Sequence, residues 1–243
     1  MPSLLIALAL MVGTADADTT YLYKALFVRA APGELVSLIE LYEERMPVFE
    51  AGAGRPFVLR HRQGDQWDVF YLFPMESFER YWSEGQAARR AAAAAGSPRS
   101  DHEFERLVLQ RVAWREELYV KGPALETVRA ALEGGTLFHL EAFIAVPGKR
   151  AELLREREME NAYLAAVGRP TNLIFTRAAG AAWDSFTIGV YRDLAHYAEG
   201  DAVPAEEADA AARAAGFEAA DRIGTYLRTL MSSHHDTIGR IVR

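Results

Sequence analysis

Cysteine does not occur in this 243-residue chain, which excludes disulfides, thiolate zinc sites, iron–sulfur clusters and cysteine nucleophiles together. A basic excess is missing too. The 27 Lys+Arg stand against 34 Asp+Glu, for a net charge of -7. The electrostatic footprint of a nucleic-acid-binding protein is therefore absent, and no preference for anionic surfaces follows. No apolar run approaches the ~20 residues that span a bilayer. The chain has no GxGxxG after a strand, no Walker A loop, no HExxH and no GxSxG, and Gly52-Ala53-Gly54 reads as a turn between helix and strand. What remains is half apolar and a quarter charged, the balance of a globular protein with a real core and room for one large or two small domains.

Residues 1–17 read as a signal peptide. An apolar run, Leu4 to Val12, precedes Ala15-Asp16-Ala17, an A-x-A cleavage pattern that makes Asp18 the expected first mature residue. This predicts a periplasmic or secreted protein. Met1-Pro2-Ser3 carries no Lys or Arg, so a cytoplasmic location is the alternative.

The chain repeats itself. Tyr23 to Gly33 aligns with Phe138 to Gly148 so that Pro32-Gly33 falls on Pro147-Gly148. Gly54-Arg55-Pro56 matches Gly168-Arg169-Pro170, and Trp67-Asp68 matches Trp183-Asp184. Each copy reads β-α-β-β-α-β. In the first, alternating Tyr, Phe and Val mark a strand over about 21–29. Leu35, Leu38, Ile39, Tyr42, Met46 and Phe49 then trace one helical stripe, with Pro47 placed to kink or end it. Two strand-like segments, 56–62 and 67–73, flank Gln63-Gly64-Asp65-Gln66 as a hairpin. Helices over 76–95 and 101–116 precede a short strand, 118–120. The second copy gives strand 136–145, helix 148–167, strands 171–177 and 183–190, helices 192–200 and 204–229, and a last segment near 234–241. The units are 21–122 and 136–243, joined by a helical connector over 123–135 that ends in Gly134-Gly135.

A βαββαβ unit is the split-βαβ, ferredoxin-like arrangement, an antiparallel sheet with helices on one face. Two copies in one chain can cover each other's open faces. The Pro-Gly after the first strand, the long amphipathic helix and the Gly-Asp hairpin before an aromatic strand resemble the dimeric α/β-barrel superfamily. They look most like its NIPSNAP and antibiotic-biosynthesis-monooxygenase-like branches. The resemblance implies an α+β chain of two tandem ferredoxin-like units forming an intrachain pseudo-dimer, alone or as a homodimer. It also implies a ligand cavity in the barrel interior that holds a small apolar or aromatic molecule. Two functions stay open under it. One is a cofactor-free or metal-assisted oxygenase or isomerase acting on a phenolic or polyketide-like substrate. The other is a non-catalytic ligand-binding or assembly module of NIPSNAP type. Haem-binding members of the superfamily are marked by a proximal His on a long helix. Here His102 and His196 alone have a helical context, neither with supporting neighbours, so haem is not expected.

Strand alternation predicts which residues face that interior. Phe138, Leu140, Ala142 and Ile144 form a wholly apolar set expected under the helices, with Tyr23, Ala25 and Phe27 as their first-copy counterparts. Leu137, His139, Glu141 and Phe143, with Leu22, Lys24, Leu26 and Val28, are then expected inside. His139 and Glu141, two residues apart on a half-buried face, are an unusual pair for a purely structural core. In a ferredoxin-like sheet the fourth strand pairs with the first, so His234-His235-Asp236 can lie beside them. His139, Glu141 and His235 are thus the candidate catalytic residues. His139, Glu141, His234, His235 and Asp236 are the candidate transition-metal ligands, since imidazole and carboxylate suit Zn, Fe, Mn or Cu as well as acid–base work. The alternation leaves open whether His235, or His234 with Asp236, faces the site. The candidate substrate-binding residues are Lys24 and Arg60, which with Arg62 suit an anionic group or simply protect an edge strand, and Phe143 and Trp183. Arg157 and Asn161 occupy the stripe positions of Tyr42 and Met46, and the expectation there is a rotated helix burying Tyr163 and Val167 instead.

Overall fold

The computed structural model describes residues 20–199 and 203–242. The leader expected over 1–17, with Asp18, lies outside the described residues. The first half contains β1 (Tyr21–Ala30), α1 (Leu35–Glu50), β2 (Phe57–Gly64), β3 (Val69–Glu76), α2 (Phe78–Tyr81), α3 (Glu84–Ala95), α4 (Asp101–Arg111) and β4 (Val112–Gly122). A connecting helix, α5 (Leu125–Glu133), leads to β5 (Leu137–Ala145), α6 (Arg150–Ala166), β6 (Leu173–Gly180), β7 (Ser185–Tyr191), α7 (Leu194–Ala198), α8 (Ala205–Ala215), α9 (Ile223–Arg228) and β8 (Met231–Val242).

The repeated motifs do the same structural work in both halves. Gly33 and Gly148 turn the chain into α1 and α6 at φ values of 83° and 84°, a left-handed conformation that glycine adopts without strain. The side chains of Asp68 and Asp184 accept hydrogen bonds from the backbone N–H groups of Ala30 and Ala145, at 2.8 and 3.0 Å. Each Trp-Asp pair thereby pins its hairpin to the end of the first strand of its own half.

All eight strands close into one barrel in the order β1-β3-β2-β8-β5-β7-β6-β4. The halves meet at two antiparallel seams, β2 with β8 and β4 with β6. Seam pairing explains two departures from the sequence expectation. Strand β4 begins at Val112 and the helix before it stops at Arg111, because β4 bonds β1 on one side and β6 on the other. β8 likewise runs for 12 residues between β5 and β2. Pro47 lies inside α1 without ending it. The helix expected over 204–229 breaks at Gly216, whose φ of 102° caps α8.

The inside and outside of the barrel are the reverse of the expectation. Tyr23, Ala25, Phe27, Phe138, Leu140 and Ala142 belong to the interior core, together with Leu59, Phe70, Phe175 and Phe186. Leu26 and Val28 pack beneath α1, and Phe143 packs with Leu153 of α6. The interior of an eight-stranded barrel is narrow enough for side chains to fill, and here apolar rings fill most of it, with His235–Asp65 and Trp183–Glu116 as polar pairs on the same inward face. Trp67 stacks on Phe138 at 6.2 Å, Phe175 on Phe186 at 4.7 Å, and Val128 and Leu132 of α5 join the same cluster. The wholly apolar set therefore takes the drier place, the lumen, and the mixed set faces the helices. Among the described residues no helix is long and apolar enough to cross a membrane.

Candidate functional site

The central strands of the second half carry polar side chains on their outer face because antiparallel register brings facing residues to one side. His139 lies opposite Ile238 of β8 and Gly189 of β7. Glu141 lies opposite Asp236 and Thr187, and Phe143 opposite His234 and Ser185. The result is two His–carboxylate pairs on adjacent rungs. His139 Nε2 bonds the Asp236 carboxylate, and His234 Nε2 lies 3.2 Å from Glu141 Oε1. His234 is also stacked on Phe143, with ring centres 5.0 Å apart. Tyr197 of α7 meets the His139 ring edge-on at 5.4 Å.

Helix α6 covers this face with charge. Arg157 is 1 % exposed and Glu156 fully buried. Arg157 donates to both oxygens of Glu156, at 2.5 and 2.7 Å, and to Glu160 at 2.7 Å, and it lies 3.7 Å from Glu141 Oε2. Thr187 Oγ1 donates to the same Glu141 oxygen at 3.4 Å. The expected rotation of α6 does not occur. Arg157 keeps the inward position of its counterpart Tyr42, which stacks on Tyr71 at 4.4 Å in the first half. Asn161 closes the helix end by a reciprocal pair of hydrogen bonds with the Asn172 backbone, at 2.8 and 2.7 Å.

The ionisation states follow from burial set against neighbours. Burial pushes Glu160 up to about 7, the Arg157 charge opposing and the Glu141 and Glu156 carboxylates reinforcing it. Burial likewise raises Glu156. For Glu141 burial favours the neutral acid, but the His234 hydrogen bond and the charges of His139 and Arg157 outweigh it and hold the group below its ordinary value. For His139 burial favours the neutral ring, and the Asp236 bond with the surrounding carboxylates outweighs it, so its pKa lies above the usual imidazole value. Asp236 is held low, chiefly by that same bond.

The structure separates the remaining candidates. His235 points to the other face of β8, where its Nδ1 meets Asp65 at 2.8 Å and its ring meets Trp183 at 4.7 Å. It joins neither His139 nor Glu141, since neighbours along a strand face opposite sides. Trp183 donates its indole N–H to Glu116 at 2.6 Å, and Phe143 lies under the Arg157 guanidinium. Lys24 pairs with Glu117 at 3.5 Å, its ammonium over Phe73. These three line no common pocket with Arg60. His102 is exposed at the start of α4, and His196 Nδ1 accepts the backbone N–H of Arg192. Arg157, Glu156, Glu160 and Arg240 were not among the sequence candidates. The available signal for Arg157 was its place on the α6 stripe.

A cavity lies outside the barrel, where the first half meets the connecting helix and β8. It holds about 420 Å³ between α1, α5 and the β2–β8 seam. Met46, Val58, Val69 and Tyr71 are among its apolar lining, and its charged lining is Arg55, Arg60, Arg129 and Arg240 with Glu43 and Glu133. Arg60 and Arg240 are directly opposite each other across the seam. Arg60 donates to the Asp68 carbonyl at 3.3 Å, and Arg240 has no ion pair among the described residues.

No family model and no curated protein matches this sequence. Solved structures do match its shape. An anthrone oxidase-like protein superposes with a TM-score of 0.60 at 11 % identity, over 93 % of both chains. A candidate monooxygenase from Fusobacterium nucleatum subsp. nucleatum gives 0.52 at 9 % identity over 93 % of this chain and 94 % of its own. Another, from Lactobacillus acidophilus NCFM, gives 0.50 at 11 % identity over 92 % and 94 %. Neither of the two expected branches is singled out by them. The chain has the dimeric α/β-barrel fold, with both ferredoxin-like halves supplied by one polypeptide.

Proposed function

We propose that this protein binds a small, largely apolar organic molecule carrying one negative charge, in the cleft beneath α1. The observation that carries this reading is the Arg60–Arg240 pair in the lining of a largely apolar cavity where four arginines outnumber two glutamates. Like charges directly opposite on neighbouring strands repel, and an anion between two guanidinium groups turns that repulsion into charge-assisted hydrogen bonding. Burial raises the Tyr71 phenol, so its part of the lining stays uncharged. A cavity of about 420 Å³ is of the size that encloses a polycyclic acid or phenolate. The names of the fold's neighbours, an anthrone oxidase-like protein and candidate monooxygenases, support oxidation of such a molecule by analogy of fold alone. An exported protein whose mature chain starts at Asp18 completes the reading, and the mass of the chain recovered from its cell envelope checks that part.

Binding is tested with two probes of one shape, 2-naphthoate and 2-naphthalenemethanol, followed by calorimetry. Naphthoate is expected to bind about 10-fold tighter, the worth of one charged hydrogen bond. Arg60→Gln with Arg240→Gln should erase that preference, and Met46→Trp should block both probes. Equal affinities in the unmodified protein, or a double variant that keeps the preference, would rule the cleft out. Turnover of a bound polycyclic phenol under oxygen separates an enzyme from a non-catalytic carrier.

A further inference from the structure

The charged cluster beneath α6 takes no part in the cleft, since Asp236 and Arg240 are about 13 Å apart along β8 at the usual strand rise. We infer that His139, Glu141 and Asp236 form a binding site for one divalent first-row transition-metal ion, with His234 positioning Glu141. One donor atom from each of the three lies within 4.8 Å of the others. Ligands about 2.0–2.2 Å from a single ion stand no more than about 4.4 Å apart, so a slight movement suffices, and Asp236, with a side chain 54 % exposed, is free to make it. The donors sit on β5 and β8, paired through nine rungs, and rigid strands hold ligands more precisely than loops do. One imidazole nitrogen with two carboxylates suits zinc, manganese, iron or cobalt better than calcium.

Two independent features point the same way. The first is charge. Glu141, Glu156 and Glu160 share one permanent cation, Arg157, and Asp236 adds a further carboxylate opposite Glu141. A dication beside His139 offsets that excess without displacing any of the Arg157 bonds. The second is the internal comparison. Lys24 and Glu117 hold the positions of His139 and Asp236 and form an ordinary ion pair, with Leu26 in place of Glu141. Neither a lysine nor a leucine can ligate a metal there, so the first half offers only one donor at these three positions. In the second half the corresponding residues are all metal donors, and hydrogen bonds with His234 and Thr187 hold the Glu141 carboxylate in one orientation, as the neighbours of a metal ligand do. Gly189 opposite His139 lets Asn172 and Tyr191 pack close on that flank, because a Cβ there would meet Asn172 Oδ1 at 2.8 Å and the Tyr191 hydroxyl at 2.9 Å.

The test uses the untagged full chain, stripped with chelator, then titrated with Zn(II) by calorimetry and with Co(II) by visible absorption. One equivalent of either ion is expected, Co(II) giving d–d bands of a nitrogen–oxygen site. Asp236→Asn and His139→Ala should each weaken binding by roughly 100-fold, and His234→Ala by roughly 10-fold. His235→Ala, on the opposite face of the strand, should change nothing. Asp236 is surface-exposed, so its variant keeps the test valid where His139→Ala fails to fold. No stoichiometric uptake would overturn the inference, as would uptake that survives Asp236→Asn or disappears with His235→Ala. None of these readings depends on naphthoate binding in the cleft.

Discussion

Arg157 shows how much one side chain can hold in place. It is the sole permanent cation bonded to Glu156 and Glu160 and next to Glu141, all in a layer where burial disfavours charge. Removing one partner of a buried pair leaves the other uncompensated, typically for a loss of 3–5 kcal/mol. Arg157→Met, which keeps the length and removes the charge, is therefore expected to lower stability by about 4 kcal/mol in denaturant titrations. A loss below about 1 kcal/mol would mean that the carboxylates had taken up protons instead. Glu160 offers a subtler case. Its folded pKa, pushed up by burial to about 7 from the ordinary glutamate value, means that the folded state binds the proton more tightly than the unfolded chain does. Its contribution to stability is complete below about pH 4.5 and is lost as pH rises through 7, by the sign of proton linkage. In metal-free protein Glu160→Gln should match the parent near pH 4.5 and exceed it in melting temperature by pH 8, the gap corresponding to on the order of 2–3 kcal/mol. Melting curves that stay parallel from pH 4.5 to pH 8 would show that Glu160 is not the group being forced to ionise.

At the scale of elements, β8 is the part on which both candidate sites depend. Its outward residues serve the His–carboxylate pairs at one end and the cleft at the other, and its inward Gly239 fits against Phe138. A Cβ on Gly239 would meet the Arg60 carbonyl at 2.1 Å and the Phe138 ring at 2.5 Å. Backbone cannot yield cheaply, so Gly239→Ala should open the β2–β8 seam and cost at least about 2 kcal/mol. Gly85, in the first turn of α3 with nothing within 4 Å, is the matched control. Gly85→Ala there should raise stability by about 0.5–1 kcal/mol through helix propensity. Equal responses at the two glycines would deny the seam its importance. The elements themselves were largely legible: Pro32-Gly33, Pro147-Gly148 and the two Trp-Asp pairs mark equivalent turns and hairpins, because those turns demand particular backbone angles. Which face of β1 and β5 would point inward was not legible. Alternation separates Phe138, Leu140 and Ala142 from His139, Glu141 and Phe143, but it carries no sign. The sign depends on closure of the barrel, a long-range event that turns the lumen into the driest place in the molecule. His139 and Glu141 were visible as an odd pair on one strand face. The exclusion of His235 and the arrival of Arg157 needed the β5–β8 register and the true rotation of α6.

The whole molecule is a single barrel, although its sequence is two copies of one unit. Rings from both halves meet in the lumen: Tyr23 with Phe175 at 5.5 Å, Phe70 with Phe186 at 5.6 Å, and Trp67 with Phe138 at 6.2 Å. Each such contact pairs a residue before Gly134 with one after it. A half on its own would expose that aromatic face and two sheet edges, the state that isolated ferredoxin-like units avoid by dimerising. Unfolding of the whole chain should therefore be one cooperative transition, with calorimetric and van't Hoff enthalpies in agreement. Separately expressed segments 20–134 and 135–243 should be partly unfolded alone and regain structure on mixing, since together they restore both seams. Circular dichroism of each segment and of the mixture reads this directly. Two resolved transitions in the intact chain, or a stable monomeric half, would mean that the helices on the outer face stabilise each unit independently. The lumen would then be only a contact between two finished domains, and a duplicated chain could lose either copy without losing the other.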